Sequence, residues 1–556
     1  MRRVTRLALL LVSGVTLLGS PAWAKCPRAC RASLRASSRV CRRACVPAAP
    51  GKACRAACNV ERRAEKRTCG TANAPQQPGC GLGDVYVAGS GALNGDGRFS
   101  SPYRRITDAV ARARAVRTFG TLPPEEEIRI HVAPGRYVGS YDAAQLQGNA
   151  EYEVLPIILN VPRLALLGST VLFRDGQGLP TAADSATEAI LEPDDPGQFS
   201  GQARSLFLVT RTADGAVGNG VTVDGFVIDN RTEGPYPNFL VLVDRVSAFR
   251  ISNNLIQHGG FGVLTQLASG TIEGNLLTHN GECGAAANGG SIAQAATVLI
   301  HANRVAGNGQ YGIMGLAQAN LLPIDRGGNT LELQPQQTTF DRNNPEDVQN
   351  IPDTLAVTVS GNDISNFRVL GVLLFAVLKR VAVGDTQIGL VDCSGSPGQQ
   401  ILGYQTQDDT QPLTSVLTAN ILGNTITGNG SPEGFCAAWG MRCQWGVSME
   451  THFGCRNDPR AVVITFAGRF EGNSFVGGLR GPALFTFNAW SNFPLPPGVD
   501  QTRVYARDSI YQVTDGDGEL VGFDYDNPVT DPVNGAVLDN TLTLNGVEVP
   551  HGKSFP

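Results

Sequence analysis

The sequence predicts an all-β chain wound into a solenoid, and three observations carry that prediction. First, one unit recurs: VDGFVIDN at 223–230, ISNNLIQH at 251–258, IEGNLLTH at 272–279, IHANRVAG at 300–307, VSGNDISN at 359–366, ILGNTITG at 421–428 and FEGNSFVG at 470–477. Short strands broken by small turn residues, at a period of about 20–25 residues, mark stacked coils; wider gaps between copies are read as insertions. Second, 66 glycines in 556 residues, with 7% aromatic and 17% charged residues, suit short strands and tight turns better than a helical bundle. Third, Asn254, Asn275, Asn303, Asn362, Asn424 and Asn473 occupy one place in their copies. A buried amide must find partners for its donors and acceptor, and amides stacked coil on coil satisfy each other. The row is therefore expected to be structural.

Residues 1–24 form a secretory signal. Arg2, Arg3 and Arg6 precede an apolar run from Leu7 to Leu18, and Ala22-Trp23-Ala24 supplies small residues for cleavage. The run is shorter than the roughly 20 residues of a membrane span, and no later stretch reaches that length. The expectation is a secreted protein, extracellular, periplasmic or at the cell surface, with no transmembrane segment in the mature chain.

Residues 25–80 form a basic Cys-rich segment. Its first 45 residues hold 13 Lys and Arg against Glu61 and Glu65, a charge of +11, and residues 70–556 carry −18. Cys26, Cys30 and Cys41 recur 28 positions later as Cys54, Cys58 and Cys69. Cys-x3-Cys sets two sulfurs on one helix face, so a small helical hairpin could be stapled by disulfides, Cys26 and Cys30 against Cys41 and Cys45. Exported cysteines are a disulfide framework first. The positive charge suits either a tether to polysaccharide or another polyanion, or a solvated helix face. No aromatic residue interleaves with the arginines, so no nucleic-acid partner is expected.

The body, 81–490, opens with a strand at Asp84–Val87 and Ser101-Pro102-Tyr103. Ile106, Ala109, Val110, Ala113 and Val116 follow at helical spacing, with Thr107 as the expected cap. Strands are expected at 128–132, 157–161 and 164–167. A second row, Phe261, Cys283, Tyr311 and Leu370, each followed by Gly, is read as an inward-facing stack. Cys283 in that row is the expected unpaired thiol among 13 cysteines. Strand-like runs in 491–556 suggest a C-terminal cap or small β module.

The strand, Gly-rich turn, Ser-Pro-Tyr and helix at 84–116, together with the Gly-Asn-x-Ile copies, resemble proteins of the pectin-lyase-like superfamily. The resemblance implies an all-β right-handed parallel β-helix over roughly 82–490, with an N-terminal capping helix that protects the first sheet edge. It implies contact with carbohydrate and leaves the activity open, because one fold hosts many functions.

Chemistry has few candidates. His258 and His279 take the same place in adjacent coils, with Asn230 and Asn366 at matching positions, and Asp229 stands on the neighbouring coil. Stacked imidazoles with a carboxylate form either an acid–base site or a polar ladder in which His replaces Asn. A lyase needs a base and a cation, and Lys379-Arg380 is a notable pair because only Lys379 and Lys553 lie beyond the basic segment; the other reading of the pair is a solvated strand edge. Asp515, Asp517 and Glu519 alternate and read as either a hydrophilic hairpin tip or a loose metal site, with calcium as the candidate ion, and Leu520 breaks an EF-hand pattern. Two functions stay open: a non-catalytic surface or matrix-binding protein with a basic tether, and a polysaccharide-processing enzyme, lyase more than hydrolase.

Overall fold

In the computed structural model the described residues run from 83 to 317 and from 354 to 378. Interruptions fall at 94, 119–121, 184–186, 197–203, 211–218, 233–237 and 290–295, and beyond 378 the described residues are mainly strands, as far as 554. The chain divides into two compact units, Met1–Asp84 with Arg98–Ser100, and Val85–Gly97 with Ser101–Pro556. All the coils belong to the second.

The second unit is a right-handed parallel β-helix. Each coil gives one strand to each of three long sheets, which among the described residues hold 13, 10 and 11 strands and are here called sheets I, II and III. One coil runs through Ser247–Ser252 in sheet I, Leu255–Gln257 in sheet II and Phe261–Gln266 in sheet III. Successive coils pair in parallel and in register, as in Ile251 with Ile272, Ile256 with Leu277, and Val263 with Ala285. The short strands of sheet II show why the sequence winds this way. In each the middle residue, such as Ile228, Ile256, Leu277, Val305 or Ile364, is fully buried, while its neighbours are mostly half-buried. Period-two alternation sends that residue inward and its neighbours out. Each such side chain contributes roughly 1.5–3 kcal/mol on burial. Sheet I continues past 490 through parallel strands Ser509–Asp515 and Thr541–Leu544, and the last strands pair antiparallel.

The asparagine row is a ladder. The Nδ2 of Asn254, Asn275, Asn303, Asn362 and Asn424 donates to the Oδ1 of the next member at 2.9–3.1 Å. The backbone N–H of each donates to the same oxygen at 2.9–3.0 Å. The second Nδ2 hydrogen reaches a sheet I carbonyl of the preceding coil, as from Asn275 to Ile251 at 2.9 Å. The amide of Phe226 closes the first end on Asn254 at 2.9 Å. A second ladder stands at the next corner, where Asn280 Nδ2 donates to Asn308 Oδ1 at 2.9 Å and Asn280 Oδ1 accepts from Gly259 N at 3.0 Å.

Helix α1, Ile106–Thr118, buries the five residues its spacing indicates. Its cap differs from expectation. Thr107 lies inside the first turn, and the capping group is the distant Glu153, which accepts from Ile106 N at 2.5 Å, Thr107 N at 2.9 Å and Thr107 Oγ1 at 2.6 Å. A buried helix start needs acceptors for its free N–H groups.

The row Phe261, Cys283, Tyr311 and Leu370 faces outward, not inward. A Cβ added to the glycine that follows each would meet interior groups: Asn280 for Gly262, Val305 for Gly284, Ile364 for Gly312 and Ile426 for Gly371. Side chains alternate across a strand, so the preceding residue points away from the coil interior. There these residues join Leu208, Leu242, Leu264 and Leu373 in a separate buried apolar cluster. Cys283 is fully buried and is the free cysteine among the described residues. Burial pushes its thiol pKa well up, which holds it in the unreactive form.

Candidate functional site

Three outer faces could meet a ligand. That of sheet III is apolar and closed. At its far edge Asp244, Gln266 and Thr210 form a polar column, but all three are at most 2% exposed. Sheet II is partly crossed by an antiparallel hairpin, Leu172–Arg174 with Pro180–Ala183. Arg174 Nη2 donates to Asn253 Oδ1 at 2.6 Å, and Asp175 pairs with Arg304, which also reaches Asp363 at 3.1 Å. Beside the hairpin, where sheet II turns into sheet III, lies the corner that carries the histidines.

The corner has a backbone requirement. His258, His279, Gly307 and Asn366 have φ of +66°, +53°, +67° and +57°. Gly adopts this left-handed conformation freely, and Asn and His are among the few others enriched there. The row therefore draws its residue types from the turn itself. Asn366 takes the expected place. Asn230 is in register with His258, next to the Asp229–Gln257 pair, but the left-handed residue of its coil is Arg231, at φ +65°, and Asn230 is buried with Nδ2 donating to Thr232 O at 2.9 Å.

The structure brings Asp229, His258 and His279 together. His258 Nδ1 lies 2.8 Å from Asp229 Oδ1, and the two imidazole centroids are 5.7 Å apart with planes tilted by 39°. The Asp229 carboxylate also accepts from Arg231 N at 2.6 Å and Gln257 Nε2 at 2.9 Å. Three partners fix it, and it in turn orients the His258 ring with Nε2 unbonded among the described residues. His279 is exposed, with Nδ1 2.9 Å from Thr278 Oγ1. His301 stands apart on sheet I, 3.0 Å from Ser360. An orienting carboxylate, a fixed imidazole and a second ring one coil away can donate and accept hydrogen bonds and can move a proton at His258 Nε2.

The sequence reading missed Glu282, three residues after His279. Its backbone N–H donates to Gly260 O at 2.8 Å, and its own carbonyl accepts from Gln310 N at 2.9 Å. Burial alone raises its carboxyl pKa, and no hydrogen-bond partner holds that carboxyl among the described residues. Half-buried carboxyls without partners are candidates for proton transfer or ligand contact. The signal was available: Glu282 is the acid in a series with Gly260, Gln310 and Val369, each just before the apolar row.

Lys379, Arg380, Asp517 and Glu519 lie outside the described residues, as does the segment 25–80. Asp515 ends a sheet I strand. Among the described residues no three His, Cys, Asp or Glu side chains are grouped to hold a metal ion, and no helix is long and apolar enough to cross a membrane.

Parallel coils, an asparagine ladder and a polar outer corner define a right-handed parallel β-helix protein of pectin-lyase-like architecture. The family described as "Protein of unknown function (DUF1565)" matches residues 87–368, and the chain belongs to it. No curated protein matches the chain. Among solved structures, DFA-IIIase from Arthrobacter chlorophenolicus A6, without its lid and in complex with GF2, is 12% identical with a TM-score of 0.37, covering 83% of this chain and 99% of its own. The mannuronan C-5 epimerase AlgE4 A-module of Azotobacter vinelandii is 12% identical with a TM-score of 0.32, covering 74% and 89%. Pectate lyase Pel9A is 12% identical with a TM-score of 0.28, covering 78% and 77%. Likenesses this low assign no role to any residue of the chain.

Proposed function

We propose that this is an exported β-helix that contacts polysaccharide at the corner between sheets II and III, as a binding protein tethered by its basic N-terminal segment. The observation that carries the reading is the outward row on successive coils: Asp229, Gln257 and Thr278 in register, flanked by His258 and His279. Groups that repeat at the coil spacing, about 4.8 Å, suit a ligand that also repeats. The superfamily resemblance supports carbohydrate as that ligand. The test is affinity electrophoresis of the full chain through a panel of soluble polysaccharides, with the wild type beside H258N/H279N. The variant should bind about tenfold more weakly, the effect of losing one or two hydrogen bonds. Failure of every polysaccharide to retard the wild type would remove the reading.

A second reading, acid–base cleavage of a glycan, is favoured by the Asp229–His258 pair with Glu282 on the following coil. It predicts that H258N/H279N abolishes release of reducing or unsaturated ends. Equal release by variant and wild type would eliminate both rings as catalysts.

A further inference from the structure

We propose that the corner takes an uncharged glycan and not a polyuronate; the proposal deepens the polysaccharide reading above and rests on it. Between Arg250 and Arg304 the chain contains no Lys or Arg. The coils that carry Gln257, His258, Thr278, His279 and Glu282 therefore bring no fixed cation to the corner. Among the described residues, arginines reach sheet II and its corner only from other coils, exposed Arg368 among them, and none is without a partner. Arg136 pairs with Glu192 at 2.6 Å, and Arg174 donates to Asn253 at 2.6 Å. Arg231 donates to the carbonyls of Pro193 and Asp194, each at 2.6 Å, and Arg304 lies between Asp175 and Asp363.

A polyuronate carries a carboxylate on each sugar, and its recognition calls for available cations, best a guanidinium that can bond two oxygens. The corner offers amide, hydroxyl and imidazole groups, which bond sugar hydroxyls. Its own carboxylates repel an acidic chain: Asp229 is closed by three donors, and Glu282 has no countercharge bonded to it among the described residues. The charge of −18 over residues 70–556 extends that repulsion. Elimination beside a sugar carboxylate needs a cation to neutralise the acid, so any chemistry at this corner is better matched to hydrolysis.

The experiment uses the full chain with neutral β-glucan and neutral xylan on one side and polygalacturonate and alginate on the other, in low salt and in about 0.5 M salt, where exposed charges are largely screened. Asn366 has the same left-handed corner conformation, so H258N/H279N keeps a residue the turn accepts. A neutral glycan should retard the wild type equally at both salt concentrations and should bind the variant about tenfold more weakly. Polyuronate binding by the basic segment should vanish in high salt and be identical in wild type and variant. Polyuronate affinity that falls in the variant would overturn the uncharged-glycan proposal and leave the polysaccharide reading standing. If no glycan, neutral or acidic, distinguishes variant from wild type, both fall.

Discussion

Glu153 is 1% exposed and joins the start of α1 to a strand 47 residues later. Burial raises its carboxyl pKa from 4.5 to about 7, against the opposing pull of its bonds to Thr107 and Ile106. The folded protein therefore holds this proton more tightly than the unfolded chain does. The resulting stability is present below about pH 4.5 and is lost as pH rises through about 7, a span worth about 3 kcal/mol. E153Q cannot titrate there. Chemical melts from pH 4.5 to 7.5 should show wild-type stability falling relative to E153Q as pH rises; parallel curves would show that Glu153 does not titrate in this range. Asn275 offers a test of the ladder. N275A leaves the N–H and Nδ2 of Asn254 without their shared acceptor and removes one of the two donors to Asn303 Oδ1, so it should cost roughly 1–3 kcal/mol in thermal or chemical melts. Cys283 should escape alkylation in the native protein and be labelled after unfolding without reductant, as a buried free thiol requires.

The hairpin Leu172–Ala183 is an element that periodicity does not reveal, because it belongs to no coil. It is braced through Asp175 to Arg304, on a coil far along the chain. The pair is open to solvent, so its direct contribution to stability is small. D175N should thus leave the melting midpoint nearly unchanged while speeding proteolytic cleavage near residues 175–179, read by mass spectrometry. Cleavage at the wild-type rate would mean that the brace does not hold the hairpin down. Other elements were legible to different degrees. The stripe of α1 was plain because helical spacing decides which side chains meet the coil. The outward row at Phe261 was misread because apolar residues are buried on both faces of sheet III, so hydrophobicity alone cannot separate inside from outside. The glycine after each apolar residue carried the distinction.

Over the whole molecule, the winding and the first ladder could be read from the repeats, since each coil obeys the same local rule and contacts chiefly its neighbours. The proximity of His258 and His279 followed from register. The hydrogen bond to Asp229 did not, because it depends on how one turn orients two side chains. Glu282 stood out by its place in the series before the apolar row, but how far it is buried is set by the coils before and after it. The chain also hid its coil spacing behind insertions, so that successive ladder members stand 21, 28, 59, 62 and 49 residues apart while remaining in contact.

That ladder has a direction. In each member after Asn254 the side-chain carbonyl faces back toward the preceding coil and receives two hydrogen bonds from there, while that of Asn254 receives the amide of Phe226. The C=O dipoles therefore point the same way and add, with their negative ends toward Asn254 and their positive ends toward Asn473. Hydrogen bonds in such a chain polarise one another. The row is thus a vector as well as a fastening. A substitution in its middle divides one long aligned array into two short ones, whereas the same substitution at Asn473 only trims it.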